Sequence, residues 1–194
     1  MQKSKQKIIS LFLTAVMVFG LFTIAPTTAL ATLEDYDPGD VAVINAIIDN
    51  NGLIGYTKND PDNWSQWGGF VRWDISTPRR ITHLSLGSKN LMGTLDLTEL
   101  TNLEYLNCSA NNLSALNLIE LTNLTELNCA SNNLSTLDLT GLTNLTVLEC
   151  SVNNLSTLDL SGLTKLVELS YSNNNLSTLD LSELASALCQ LNIA

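Results

Sequence analysis

The sequence predicts an α/β-type solenoid. Short parallel strands stack on one side, mostly extended or 3-10 backbone forms the convex side, and a small helical cap closes the N-terminal end. Three observations carry this. Leu103, Leu124, Leu145 and Leu166 recur at one constant step, and Cys108, Cys129 and Cys150 keep the same step, with Tyr171 in the next place. A fixed period of this length marks a chain built of stacked repeats. Within each repeat, apolar Leu106 and Cys108 alternate with Tyr105, Asn107 and Ser109, the two-residue period of a strand with one face buried. The third observation is a second phrase, Ser135 to Leu145 in its fullest form, rich in Ser, Thr, Asp and Gly and too short for a full helix.

Each position in the repeat has a physical task. Leu106 and Cys108 point inward, and so do their equivalents in later coils. Leu113, Leu116, Leu118 and Leu121 fill the remaining interior. No coil buries these leucines alone, so neighbours must stack. Asn111, Asn132, Asn153 and Asn174 recur at the strand exit with the same step as the leucines. An amide side chain has both donor and acceptor atoms and can satisfy backbone groups that a bend leaves unpaired. The register L-x-x-L-x-(L/C)-x-x-N-x-L resembles the leucine-rich repeat, and it recurs four times without a gap. Coiled coil is excluded, because no heptad-type step persists.

At the N-terminus, Lys3, Lys5 and Lys7 precede an apolar run, Ile8 to Ile24, and Ala29-Leu30-Ala31 supplies small residues. This is the pattern of a secretory signal cleaved after Ala31. Residues 1–31 are therefore expected to be a signal peptide, 32–80 a cap region, and 81–194 a solenoid of about five coils. No second apolar span follows, so no membrane-spanning segment is expected after signal removal.

All 19 acidic residues lie after Ala31, against six basic ones, Lys58, Arg72, Arg79, Arg80, Lys89 and Lys165, a net charge of −13. Such a surface repels nucleic acid and anionic membranes, and its natural partners are basic or neutral. Solubility alone would also account for it.

The cap region holds all three tryptophans, Trp64, Trp67 and Trp73. Asp37-Pro38-Gly39-Asp40 has the form of a helix start, with Asp37 as N-cap and Pro38 at the first helical position. Val41, Ile44, Ile47 and Ile48 then share one face, and Asn50-Asn51-Gly52 is a stop. A turn-rich segment leads to the first strand, Ile81 to Leu86. This arrangement is similar to the N-terminal caps of plant-type and bacterial leucine-rich repeat proteins. Asn90-Leu91-Met92-Gly93-Thr94-Leu95 also resembles the plant-type N-L-x-G-x-L phrase. Two departures stand out: Lys89 occupies the ladder position, and the first coil is one residue longer than those that follow. The tryptophans are expected to cover the first coil; carbohydrate stacking is the functional alternative.

Repeats of this length with Cys in the second inward position resemble the internalin J type of bacterial surface protein, over Ile81 to Leu181. That resemblance implies a secreted protein with an adhesion-like binding role. The family's wall-sorting motif, L-P-x-T-G, does not occur. Cys108, Cys129 and Cys150 are expected to be buried thiols rather than disulfides, since parallel Cβ vectors are the wrong geometry for a bridge. A straight row of three is also no tetrahedral metal site, and no metal or cofactor is expected.

Past Leu184 the register shifts by one residue, and Leu188 to Ile193 fits a further strand. No polar C-terminal cap follows. The chain thus reads either as truncated or as ending in an edge strand able to self-associate.

Catalysis has little support, and no enzyme activity is expected. His83 is the only histidine, without a Ser–His–Asp order or a Gly-rich phosphate loop. The carboxylates Glu126, Glu149 and Glu168 fit a solvated acidic face better than an acid/base pair. The Asn-x-Ser triplets at Asn112, Asn133, Asn154 and Asn175 fall out of the repeat phrase. Calcium at the row Asp96, Asn117, Asp138, Asp159, Asp180 lacks the dense Asp/Gly runs of calcium-binding repeats.

The expected function is recognition of a protein or cell-surface ligand, basic ones included, through the strand face. The expected binding residues are His83, Tyr105, Asn107, Glu126, Asn128, Val147, Glu149, Glu168 and Ser170. The alternative is a structural spacer or a fragment of a larger surface protein. The leader gives the first prediction: N-terminal sequencing of the exported protein should start at or near Thr32, and an exported chain that retains residues 1–31 would contradict it.

Overall fold

The computed structural model describes residues 32–53, 57–59, 71–184 and 190–191. The expected signal segment, Trp64, Trp67 and Cys189 lie outside the described residues, as does most of the expected last strand. No helix among the described residues is long and apolar enough to cross a membrane.

The described residues open with a short 3-10 turn, Leu33–Asp35, followed by a helix, α1 (Pro38–Asn51). The helix starts and stops where the sequence places it. The Asp37 carboxylate accepts the Gly39 and Asp40 amides at 2.9 and 3.1 Å. Gly52 ends the helix in the left-handed conformation, φ 57° and ψ 40°, which glycine adopts without steric cost. Val41, Ile44, Ile47 and Ile48 are buried as expected, with Val43 beside them.

Next come strands β1 (Val71–Trp73), β2 (Ile81–Ser85), β3 (Met92–Asp96), β4 (Tyr105–Asn107), β5 (Asn112–Asn117), β6 (Glu126–Asn128), β7 (Val147–Glu149), β8 (Glu168–Ser170) and β9 (Gln190–Leu191). The principal sheet runs β1-β2-β4-β6-β7-β8-β9. From β2 onward every pairing is parallel, one strand per coil. Leu84, Leu106, Leu127, Leu148 and Leu169 lie in register along its inner side, at 0–1% exposure.

The convex side is made of turns. Leu121 N donates to Leu118 O and Leu124 N to Leu121 O, at 3.1 and 2.9 Å, and the same pair recurs in each coil from Leu97 to Leu166. These i to i+3 bonds place the leucines inward at each corner, in keeping with the expected extended and 3-10 backbone. Two features were not read from the sequence. β3 and β5 pair as a second, two-stranded parallel sheet on the flank. β1 adds an antiparallel edge to β2, so the first coil is covered by a strand as well as by the helix.

A buried ion pair holds the cap in place. Asp40 is fully buried and accepts Arg80 Nε and a terminal guanidinium nitrogen at 3.1 and 2.9 Å, and the Ile81 amide at 2.6 Å. Burial pushes its carboxyl above the ordinary range, against the pull of Arg80 and Ile81. Losing one partner of such a pair costs about 3–5 kcal/mol. At the other end of the helix, Asn51 Oδ1 accepts the Met92 amide at 3.0 Å. The helix is therefore tied to the first coil at both ends.

Each strand exit bends through a residue with positive φ: Ala110 (53°), Ser131 (56°), Val152 (58°) and Asn173 (54°). The bend aims the following asparagine into the core. Asn173 suits this conformation, whereas Val152 is β-branched and its side chain is 47% exposed, with little packing to offset the strain. Left-handed backbone costs an L-residue roughly 1–2 kcal/mol. Val152→Asn should therefore raise unfolding stability by about 1 kcal/mol, read as a higher urea midpoint at unchanged slope. A lower midpoint would show that Val152 makes a compensating contact.

Candidate functional site

The candidate site is the outer face of the principal sheet. Strand pairing sets its columns. His83, Tyr105, Glu126, Val147 and Glu168 stand in one register row, and Ser85, Asn107, Asn128, Glu149 and Ser170 in the next. Every expected strand-face residue lies in one of these two rows, and none of them is buried.

The face is not uniform. At its first-coil end the His83 and Tyr105 rings stack, 5.7 Å between centroids and 22° between planes. Arg72 pairs with His83 across β1 and β2, so its side chain stands on the same face. The sequence reading missed Arg72, because three residues of β1 are too few to show an alternation. His83 Nδ1 lies 3.0 Å from Thr82 Oγ1, and its ring stacks on that of Tyr105.

Further along, the polar groups divide into those held by the protein and those left to solvent. Asn107 Oδ1 accepts Ser109 N and Oγ at 3.0 and 2.7 Å. Asn128 Oδ1 accepts Ala130 N, and its amide nitrogen donates to Glu149 Oε2 at 2.5 Å. The Ser151 and Ser170 hydroxyls are 2.9 Å apart. Among the described residues, Glu126, Glu168 and the Arg72 guanidinium have no side-chain partner.

Beneath the face lie the two structural rows. Asn132 donates to Cys108 O and Cys129 O at 3.0 and 3.1 Å and accepts the Leu113 amide at 3.0 Å. Asn111, Asn153 and Asn174 repeat this pattern one coil at a time. Cys108, Cys129 and Cys150 are free thiols with no exposed surface. Burial pushes Cys108 and Cys150 up to about 12, and drives Cys129, which also faces both neighbours, well above the usual thiol range.

On the convex side the row Asp96, Asn117, Asp138, Asp159, Asp180 closes turns. Asp138 accepts Thr140 N, Asp159 accepts Ser161 N and Asp180 accepts Ser182 N, at 2.8–2.9 Å. These hydroxyl-bearing neighbours hold the three carboxyls below the usual range. A second, exposed asparagine row went unread in the sequence: Asn123 donates to Thr101 O and Asn144 to Thr122 O, both at 2.9 Å. Where the second coil carries Ile119-Glu120 in place of Thr-Gly, a groove of about 390 Å³ opens on this side.

Parallel one-strand coils, corner leucines and a continuous asparagine row decide the architecture. The described solenoid has the architecture of leucine-rich repeats, with a row of buried cysteines inside it. No family model matches the chain, and no curated protein matches it. Among solved structures it is similar to the functional domain of InlJ from Listeria monocytogenes, which includes a cysteine ladder. The two are 29% identical with a TM-score of 0.46, over 54% of this chain and 26% of that one. It is also similar to the leucine-rich repeat ectodomain of the receptor kinase SOBIR1 from Arabidopsis thaliana, at 22% identity and a TM-score of 0.46, over 75% of this chain and 97% of that one. This chain thus spans about a quarter of the InlJ chain.

The buried, high-pKa thiols should not react with a maleimide in the native protein and should react fully after unfolding in denaturant. Cys129→Ser should destabilise the fold by about 1–3 kcal/mol, because it puts a hydroxyl into an apolar row. Rapid native labelling mapped to Cys108, Cys129 or Cys150 would contradict the ladder's burial.

Proposed function

We propose that the chain is an exported binding module that recognises a protein or cell-surface ligand through the outer face of its strands. One observation carries the reading. The inward positions of successive coils hardly vary, whereas the first outward row changes chemistry at nearly every step: His83, Tyr105, Glu126, Val147, Glu168. A surface that needs only to be wet has no use for Tyr105 and Val147, although strand propensity favours both. Tyrosine is a frequent binding hot spot, with a large contact area and few torsions to order. Glu126, Glu149 and Glu168 would draw in a basic partner and raise its association rate at low salt. Export rests on the leader pattern of residues 1–31, and the adhesion-like role on the resemblance of the repeats.

The test is a pull-down of the secreted protein against matrix proteins and cell-wall polymers, followed by affinity measurements with any captured ligand. Tyr105→Ala should weaken binding by about 2 kcal/mol. Glu126, Glu149 and Glu168 changed together to Gln should slow association and flatten its salt dependence. Asp138→Asn, on the convex side, should change neither. Weakening by the convex change alone would move the site to the other face. Failure to capture any ligand in a broad screen would favour a structural spacer.

A further inference from the structure

We infer that the strand face is built for an extended polypeptide segment of opposite charge at its two ends, lying across the strands in one orientation. An acidic group two residues before a planar side chain would sit at the first-coil end, and basic side chains would sit over the later coils. This rests on the strand-face reading above and goes further, by naming the partner's chemistry and direction.

The charges on the face are sorted along the solenoid axis. Its only full cation among the described residues is Arg72, at the β1 edge, exposed and without a side-chain partner there. Next to it the His83–Tyr105 stack offers a flat ring surface. The carboxylates follow, Glu126, Glu149 and Glu168, on the third to fifth strands of the parallel run. Of these, Glu149 is held by Asn128, while Glu126 and Glu168 face solvent unpaired. Glu104 lies outside the two face rows, at the strand entry in the row of Thr82, Thr125, Thr146 and Val167. Cations elsewhere are also concentrated toward the cap: of the six basic residues after Ala31, only Lys165 lies beyond the first coil, although acidic residues outnumber basic ones in both parts. Lys165 donates to Asn144 at the convex edge, 2.7 Å away, rather than facing the strands.

The spacing sets the partner's dimensions. Adjacent strands lie about 4.8 Å apart, and an extended chain advances about 3.3 Å per residue. From the middle of the His83–Tyr105 stack, Glu126 is about 7 Å away and Glu168 about 17 Å, by strand spacing. Side chains of an extended chain alternate sides, so with an aromatic residue on the stack the residue two places further along lies over Glu126, and the one four places along, about 13 Å out on the same side, is within a lysine side chain's reach of Glu168. The residue two places before the aromatic, about 7 Å away on the same side of the partner, stands toward Arg72. A continuous sheet with fixed register keeps these distances constant, which is what one-directional recognition requires.

The test uses the full secreted chain and fluorescein-labelled heptapeptides. The probe is Asp-Ser-Trp-Ser-Lys-Ser-Lys, and the control is its charge-swapped counterpart Lys-Ser-Trp-Ser-Asp-Ser-Asp. The probe should bind at least about tenfold tighter than the control, with the difference shrinking at high salt. In double-mutant cycles, Arg72→Gln should couple to the probe's Asp and not to its distal Lys. Glu168→Gln should show the reverse, each coupling on the order of three- to tenfold in affinity. Equal affinity for the two peptides, crossed couplings, or no binding of the probe at millimolar concentration would each overturn the sorted-charge proposal. The broader reading fails separately. If Tyr105→Ala still weakens a ligand captured from the screen while the peptide couplings are absent, the face binds but not with this polarity. If Tyr105→Ala and the triple Glu change leave every captured ligand unaffected, the strand face itself is wrong.

Discussion

Each ladder asparagine closes a bend that the backbone cannot close alone. At every strand exit the chain turns through a left-handed residue, leaving the carbonyls of the last strand residues aimed at the interior. Asn132 answers the carbonyls of Cys108 and Cys129 with one amide group, and takes the Leu113 amide on its oxygen. Its donors thus serve two coils, and its acceptor binds the earlier one. A buried polar group left unpaired costs about 1–3 kcal/mol, and removal of one asparagine would expose more than one such group. The leucines supply most of the driving force, but they would accept many stackings. The amide row fixes the register, because a coil that slipped by one residue would pair none of these groups. The thiols fit the same logic. They sit fully buried beside the asparagines, where a small, weakly polar side chain fills the space without competing for the carbonyls.

A ladder of this kind needs a first rung, and the first coil has none of its own. Lys89 stands in the ladder position, and Asn111 reaches back to take the Lys89 and Leu91 amides. The end of the solenoid is instead organised by Asp40, which accepts the amide of Ile81, the first residue of the first parallel strand. A carboxylate at this depth is tolerable only with a cation, which Arg80 supplies from the adjacent residue. The same Arg80 donates to Glu99 O and Thr101 Oγ1, at 2.9 and 3.2 Å, so one side chain joins helix, strand and first convex turn. Tyr36 meets Trp73 edge-on at 4.7 Å, with the Arg79 guanidinium 5.5 Å from its ring, and this cluster seals the neighbouring edge. Hydrophobic capping alone would leave the first strand's amides unanswered.

Much of this was legible because the repeat reports its own geometry. The constant step between coils, the alternation along each strand and the proline-started helix correspond to local, periodic constraints, and each appears at the expected residues. What escaped notice was non-local or aperiodic. The Asp40–Arg80 pair joins residues 40 apart, with no pattern to announce it. β1 is three residues long, and its place beside β2 depends on a turn held by Asp74, whose carboxylate takes the Ser76 and Arg80 amides at 3.1 and 2.9 Å. Arg72 reached the candidate site only through that strand. The β3–β5 pairing was hidden because the phrase that forms it in the first two coils stays unpaired in later ones, despite similar residues. The row of Asp96, Asp138, Asp159 and Asp180 was visible as a repeat but not as turn closure, since its partners are the hydroxyl residues two places on.

The separation of inward from outward positions has a consequence for how such a surface can change. Cores are close-packed, and a change of one methylene there is felt by several neighbours. In this chain the inward residues are held by leucine packing and by the asparagine row, neither of which involves the side chains at Tyr105, Glu126, Val147 or Glu168. Substitution at those positions alters solvent-facing chemistry while the strand register persists. Glu149 is the intermediate case, tied to Asn128 and therefore pre-oriented rather than free. A face assembled this way combines rigid spacing, set by hydrogen-bonded strands about 4.8 Å apart, with side chains that are nearly independent of stability. That independence allows charge to be sorted from Arg72 at one end to Glu168 at the other without disturbing the fold beneath. Clustering Arg72 with the glutamates would instead let them neutralise one another, leaving little field to orient a partner.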